Sequence, residues 1–181
     1  KKQFIWGIAT PFLPGFSPAD PGAVAPYKVT LLEFVQTYSK SFERTKILNG
    51  FLDFRRAIKK IGINKGFQWA DGSFLEDIEK MQNRPPSDLD LITFAFRPSD
   101  FRETQAWKNF FNQNLTLFSP KDTKKVYFCD AYHVDLDLPP TTIVTEPAIG
   151  LGCFPIKERL TCGKDCLNST SKKMKGMRKP S

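Results

Sequence analysis

Four residues constrain this chain more than any others: Asp88-Leu89-Asp90-Leu91, which run on into Ile92-Thr93-Phe94. A polar start followed by β-prone residues reads as a strand over 88–96. Successive strand side chains point to opposite faces, so both carboxylates share one face and both leucines the other. The leucine face requires a core. The acid face sets two like charges side by side, which a fold tolerates when a cation lies between them. Carboxylate oxygens are hard donors suited to Mg²⁺ or Mn²⁺. A solvated strand end paired with Arg84 or Arg97 is the competing reading of the same residues.

The surrounding elements follow from period and punctuation. Apolar residues at 47, 51, 54, 58 and 61 step by four, three, four and three, with Asp53, Arg55, Arg56, Lys59 and Lys60 largely off that stripe. This predicts an amphipathic helix from Ser41 to Ile61, closed by Gly62, with Asn49-Gly50 as a turn signal inside it. Gly66–Ala70 reads as a short aromatic strand ending at Asp71-Gly72-Ser73. Ser73 with Glu76 has the spacing of a capping box for a helix over 74–81. Pro85-Pro86 marks a loop. A second helix is expected over Asp100–Asn114, opened by Ser99 or by Asp100 with Glu103, and a further strand over Lys125–Leu136. Helix and strand alternate three times, which is an α+β order.

The length, 181 residues, suits one domain, and 17 Phe and 3 Trp supply core anchors. Residues 1–29, rich in Pro and Gly, read as an extended lead-in that wraps the domain or stays loose. The domain itself is expected over 30–156. The tail, 157–181, carries eight Lys/Arg against Glu158 and Asp165, and so +6 of the chain's net +8. It offers weak, sequence-indifferent contact to nucleic acid, although a solvated terminus explains it as well. No apolar run approaches the roughly 20 residues of a membrane span, so no membrane partner is expected. The apolar start at Phe4–Ile8 is broken by Thr10-Pro11 and lacks a small-residue cleavage site, which points to a cytoplasmic protein. Four Cys (129, 153, 162, 166) are too unevenly spread for a disulfide scaffold. Cys162 and Cys166 resemble half a zinc site without a well-spaced fourth ligand, and reduced thiols are expected.

Upstream of the paired acids, Gly72-Ser73 ends one strand and opens a helix, offering backbone N–H groups and a hydroxyl to an anion such as a triphosphate. Ser73 read alone is a helix cap. The order Gly-Ser, helix, Pro-rich loop, Asp-Leu-Asp-Leu on a strand is far more specific than either part. It resembles the DNA-polymerase-beta-like nucleotidyltransferase superfamily, marked by Gly-Ser or Gly-Gly and then Asp-x-Asp between apolar residues. The 14 residues between Ser73 and Asp88 slightly exceed the usual spacing. The stretch from Gly66 to Phe74 and from Arg84 to Asp90 is similar to a small bacterial and mobile-element branch of that superfamily, and the likeness extends from the Pro14-Gly15 region to about Leu136, some two-thirds of the chain. The tail departs from that branch.

The resemblance implies a nucleotidyltransferase-like mixed β-sheet with helices packed mainly on one face. It implies a third metal carboxylate on a later strand, where Asp130, Asp135 and Asp137 compete. Asp130 stands where the branch places an acid, whereas Asp135 and Asp137 lie on the opposite face and fit strand-end charges. His133 shares their parity and reads as an exposed or hydrogen-bonded side chain rather than a base. The activity implied is transfer of a nucleotidyl group, AMP by preference, from a nucleoside triphosphate to a hydroxyl of a protein, an RNA or a small molecule. Asp88, Asp90 and Asp130 would hold Mg²⁺ or Mn²⁺, and Gly72 and Ser73 would bind the nucleotide's phosphates. Small members of the superfamily often act in toxin–antitoxin pairs, which makes a partner protein or RNA the expected acceptor. The alternative is a catalytically weak nucleotide-sensing or partner-binding module of the same fold.

Overall fold

A computed structural model describes residues 4–7 and 27–145. The basic tail, Cys153, Cys162 and Cys166 lie outside the described residues. Five strands form one mixed sheet: β1 (Phe4–Gly7), β2 (Tyr27–Thr30), β3 (Gly66–Asp71), β4 (Leu89–Ala95) and β5 (Cys129–Asp135), in the order β2-β1-β3-β4-β5. β1 pairs parallel with β3 and β4 parallel with β5, while β1–β2 and β3–β4 are antiparallel. The fold is α+β, as its element order implies. Within the Pro/Gly-rich lead-in the described residues add two extended strands to the sheet, Phe4–Gly7 and Tyr27–Thr30, which were not expected. Four-residue strands flanked by Pro and Gly carry too little periodicity to be read in advance.

The longest helix, α2 (Phe42–Lys60), follows α1 (Leu31–Tyr38) and matches the stripe that predicts it. Ser41 caps it by accepting from the Arg44 N–H, and Lys59 and Lys60 complement the dipole at its end. Gly50 is no turn. A Cβ there would stand 2.1 Å from the Tyr127 carbonyl oxygen, so glycine is what lets another helix end lie against α2. That helix is α6 (Pro120–Tyr127), preceded by α3 (Ile78–Gln82), α4 (Thr104–Gln113) and α5 (Leu115–Phe118), and followed after β5 by α7 (Pro140–Thr145).

Three boundaries differ from expectation. The strand expected from Lys125 starts only at Cys129. Ser119 caps α6 with Pro120 at its first position, and Phe128 leaves the helix in the left-handed region at φ 54°. The helix expected over 74–81 is a 3₁₀ turn at Ser73–Leu75 and then α3. Ser73 makes no capping bond there, so the Ser73–Glu76 box does not form. The helix expected from Asp100 starts at Thr104, because Glu103 itself accepts from the N–H groups of Gln105 and Ala106.

The leucine face is the core face. Ala70, Leu89, Leu91, Cys129 and Ala131 pack against Leu48, Phe51 and Phe54 of α2, Trp107 and Phe111 of α4, and Phe118 of α5. Leu89 and Leu91 are fully buried, each contributing about 1.5–3 kcal/mol relative to exposure. The helices therefore cover one face, and the even-numbered residues of β4 and β5 are presented on the other.

Candidate metal centre

The register of the parallel β4–β5 pair sets Asp90 directly opposite Asp130, as it sets Leu89 opposite Cys129. With the odd residues committed to the core, both acids emerge on the face opposite that core. Asp88 precedes β4 and is tethered there because the Leu89 N–H donates to the Phe128 carbonyl at 3.0 Å. One oxygen from each of Asp88, Asp90 and Asp130 lies within 4.8 Å of the others. Asp71, at the end of β3, is the antiparallel partner of Asp90 and adds a fourth carboxyl to the row.

The electrostatics follow from that crowding. Burial, then the charges of Asp88, Asp130 and Asp71, push the Asp90 carboxyl up to about 6, against the opposing pull of Lys124. The Lys124 ammonium lies 2.6 Å from Asp88 Oδ2 and 3.8 Å from Asp130 Oδ2. Its hydrogen bond to Asp88 leads the effects that raise its own pKa. Tyr132 is the next residue along the acid face. Burial first, then the Asp130 and Asp90 charges, raise its phenol.

Gly72 adjoins Asp90. Its φ of 82° is left-handed, and a Cβ there would stand 1.7 Å from Asp90 Oδ2. Ser73 opens the 3₁₀ turn, its carbonyl accepting from the Glu76 N–H. The turn is fastened from beneath by Arg44 of α2, which is 3% exposed. Arg44 donates to the carbonyls of Phe74 and Glu76, each at 2.6 Å, and to both oxygens of Glu79. That grip, ahead of other effects, holds Glu79 down to about 2.

Arg84 and Arg97 do not pair with the two central acids. Arg84 bonds Gln82 and the Pro85 carbonyl. Arg97 meets Asp135 Oδ2 at 2.7 Å, while its backbone N–H donates to Asp137 Oδ2. Asp135 is buried on the core side, so Asp135 and Asp137 fasten the end of β4. Of the two expectations for His133, exposed or hydrogen-bonded, exposure does not hold. The side chain is buried between the rings of Trp107 and Phe118, and burial lowers it to about 4. Lys124, Arg44 and Asp71 belong to the site's surroundings and have no sequence motif. Ser119-Pro120, a helix opening, is the one signal that places Lys124 on a helix ahead of β5 rather than in it.

Three hard carboxylate oxygens converging at this separation fit a divalent cation by donor type. The chain belongs to a family of unknown function (DUF6932), whose profile matches residues 11–165. No curated protein and no solved structure matches it.

Proposed function

We propose that this member of the family is a metal-dependent nucleotidyltransferase that moves a nucleotidyl group, AMP by preference, from a nucleoside triphosphate to a hydroxyl. The observation that carries this reading is the convergence of Asp88, Asp90 and Asp130 within 4.8 Å beside the Gly72-Ser73 turn. The acceptor is a protein, an RNA or a small molecule, in keeping with a toxin–antitoxin or defence role and a cytoplasmic setting. Among the described residues no helix is long and apolar enough to cross a membrane.

Asp88, Asp90 and Asp130 would hold Mg²⁺ or Mn²⁺, which supplies charge neutralisation at the phosphates and orients them for in-line displacement. The acceptor oxygen bonds to the α-phosphorus, the α–β P–O bond breaks, and pyrophosphate leaves. Asp130 takes the acceptor's proton, being the outermost acid of the sheet order. Asp90 must be ionised to act as a ligand, which its value of about 6 allows at neutral pH. Ser73 and the N–H groups of its turn receive the β/γ phosphates, and the absence of a side chain at Gly72 keeps Asp90 in place. Lys124 offsets part of the acids' repulsion and offers a donor to an incoming phosphate.

The same lysine supports a second reading, a nucleotide-sensing module with little turnover, since its ammonium already balances Asp88 at 2.6 Å. Calorimetric titration with ATP tests the shared premise. The part of ATP binding that needs Mg²⁺ or Mn²⁺ is expected to vanish in Asp88→Asn, with thermal stability nearly unchanged because a charge repulsion is relieved. Equal binding in EDTA, or unfolding of Asp88→Asn, contradicts both readings.

A further inference from the structure

The end of the sheet away from the acids carries a second feature, a cleft of about 320 Å³ between α2 and the start of β3. Its walls bear four cations, Arg55, Arg56 and Lys59 from α2 and Lys65 from the turn before β3. Leu52, Ile58 and Ile63 supply apolar surface, and no carboxylate is among the described lining residues. The volume falls within the range of about 300–1,000 Å³ common for small-molecule sites.

The floor is built to hold a cation still. Gln68 and Thr93 are polar yet 3% and 5% exposed, on the core face of the sheet. Arg55 Nη1 donates to Gln68 Oε1, and Gln68 Nε2 donates to Thr93 Oγ1 at 2.9 Å. The guanidinium also lies over the Phe51 ring, 5.5 Å from its centre. The amide and the ring fix where the arginine's guanidinium lies. Arg56 is balanced by Asp53 at the surface. Lys59 and Lys65 are exposed and form no ion pair among the described residues.

We propose that this cleft binds a small phosphorylated molecule of mononucleotide size, its phosphate among Arg55, Lys59 and Lys65 and its organic part against Leu52, Ile58 and Ile63. Five strand steps of ~3.3 Å separate Gly66 from Asp71, so the cleft lies roughly 17 Å from the acids. It also opens on the helix side, whereas the acids face the other way. The site is therefore independent of the nucleotidyltransferase reading.

The test is calorimetric titration of the full chain with AMP in EDTA, which keeps metal-bound phosphate away from the acids. Saturable binding with a Kd below about 1 mM is expected, unchanged in Asp88→Asn and weakened about tenfold or more in Lys59→Ala/Lys65→Ala. Adenosine, lacking the phosphate, should bind as poorly as AMP does to the double variant. Both lysines are exposed, so the variant is expected to melt with the wild type. Arg55→Lys, which keeps the charge and loses the fork, should also weaken AMP. Absence of saturable AMP binding, or equal AMP affinity in the double variant, overturns the proposal. So does a short single-stranded RNA that binds through these lysines when AMP does not.

Discussion

Gly72 and Asp90 meet so closely that a β-carbon at position 72 would stand 1.7 Å from the Asp90 carboxylate, at a φ of 82° that L side chains rarely adopt. Gly72→Ala must therefore turn the Asp90 carboxyl away from its neighbours. The backbone strain costs about 1–2 kcal/mol, a modest loss for the fold and a decisive one for the site. Mn²⁺ binding followed by electron paramagnetic resonance is expected to fall by more than tenfold in Gly72→Ala, with a melting curve that stays cooperative.

Arg44 ties that turn to α2. Arg44→Met strands Glu79 and two carbonyls that now accept from the guanidinium. Glu79 is half-buried and rehydrates, but the Phe74 carbonyl is left buried without its donor, at a cost of about 1–3 kcal/mol. A fall of that order in urea unfolding is expected, together with weaker triphosphate binding through the loosened Ser73 turn. Unchanged unfolding would show that the turn stands without its anchor.

Two groups pull the acid stability profile in opposite directions. Asp90 is raised from 3.8 to about 6 by burial and its acidic neighbours, so its contribution is complete below pH 3.8 and is lost as pH rises through 6. His133 is lowered from 6.5 to about 4 by burial, so its contribution is complete above pH 6.5 and is lost as pH falls through 4. Each is worth about 1–3 kcal/mol, and the two offset in metal-free protein. Asp90→Asn removes the first. Thermal melts in EDTA should show this variant more stable than wild type at pH 8, and losing stability more steeply between pH 6.5 and 4. Parallel profiles for the two proteins would refute the raised carboxyl.

Asp130 and Asp135 lie on opposite faces of one strand, and their substitutions should separate. Asp130→Asn is expected to abolish Mn²⁺ binding while leaving the melting temperature nearly unchanged. Asp135→Asn breaks the buried pair with Arg97 and should destabilise by about 3 kcal/mol with Mn²⁺ binding retained. The reverse pattern would assign the third ligand to the wrong face.

Strand parity explains why Asp88 and Asp90 were legible as a pair, and why Asp130 was separable from Asp135 and Asp137, though only the resemblance pointed to Asp130 as the third acid. A period of two fixes which residues of 88–96 and 129–135 share a face, whatever the exact strand ends. α2 was legible because its stripe is long and its cap is Ser41. The start of β5 was not, since Val126-Tyr127-Phe128 is as β-prone as the strand it precedes. Only the Ser119 cap and the left-handed Phe128 separate helix from strand there. β1 and β2 gave no signal because four residues cannot establish a period. Lys124 and Arg44 reach their partners through tertiary packing, which no local spacing encodes.

The most direct test follows the phosphate itself. Purified protein is incubated with Mg²⁺, cell lysate and ATP labelled at either the α- or the γ-phosphate, and the macromolecular and small-molecule fractions are then counted. Nucleotidyl transfer predicts that α-label becomes covalently attached to an acceptor while γ-label leaves in pyrophosphate, and that Asp90→Asn abolishes both. Failure of every nucleoside triphosphate to label an acceptor, or labelling by Asp90→Asn at the wild-type rate, would contradict it.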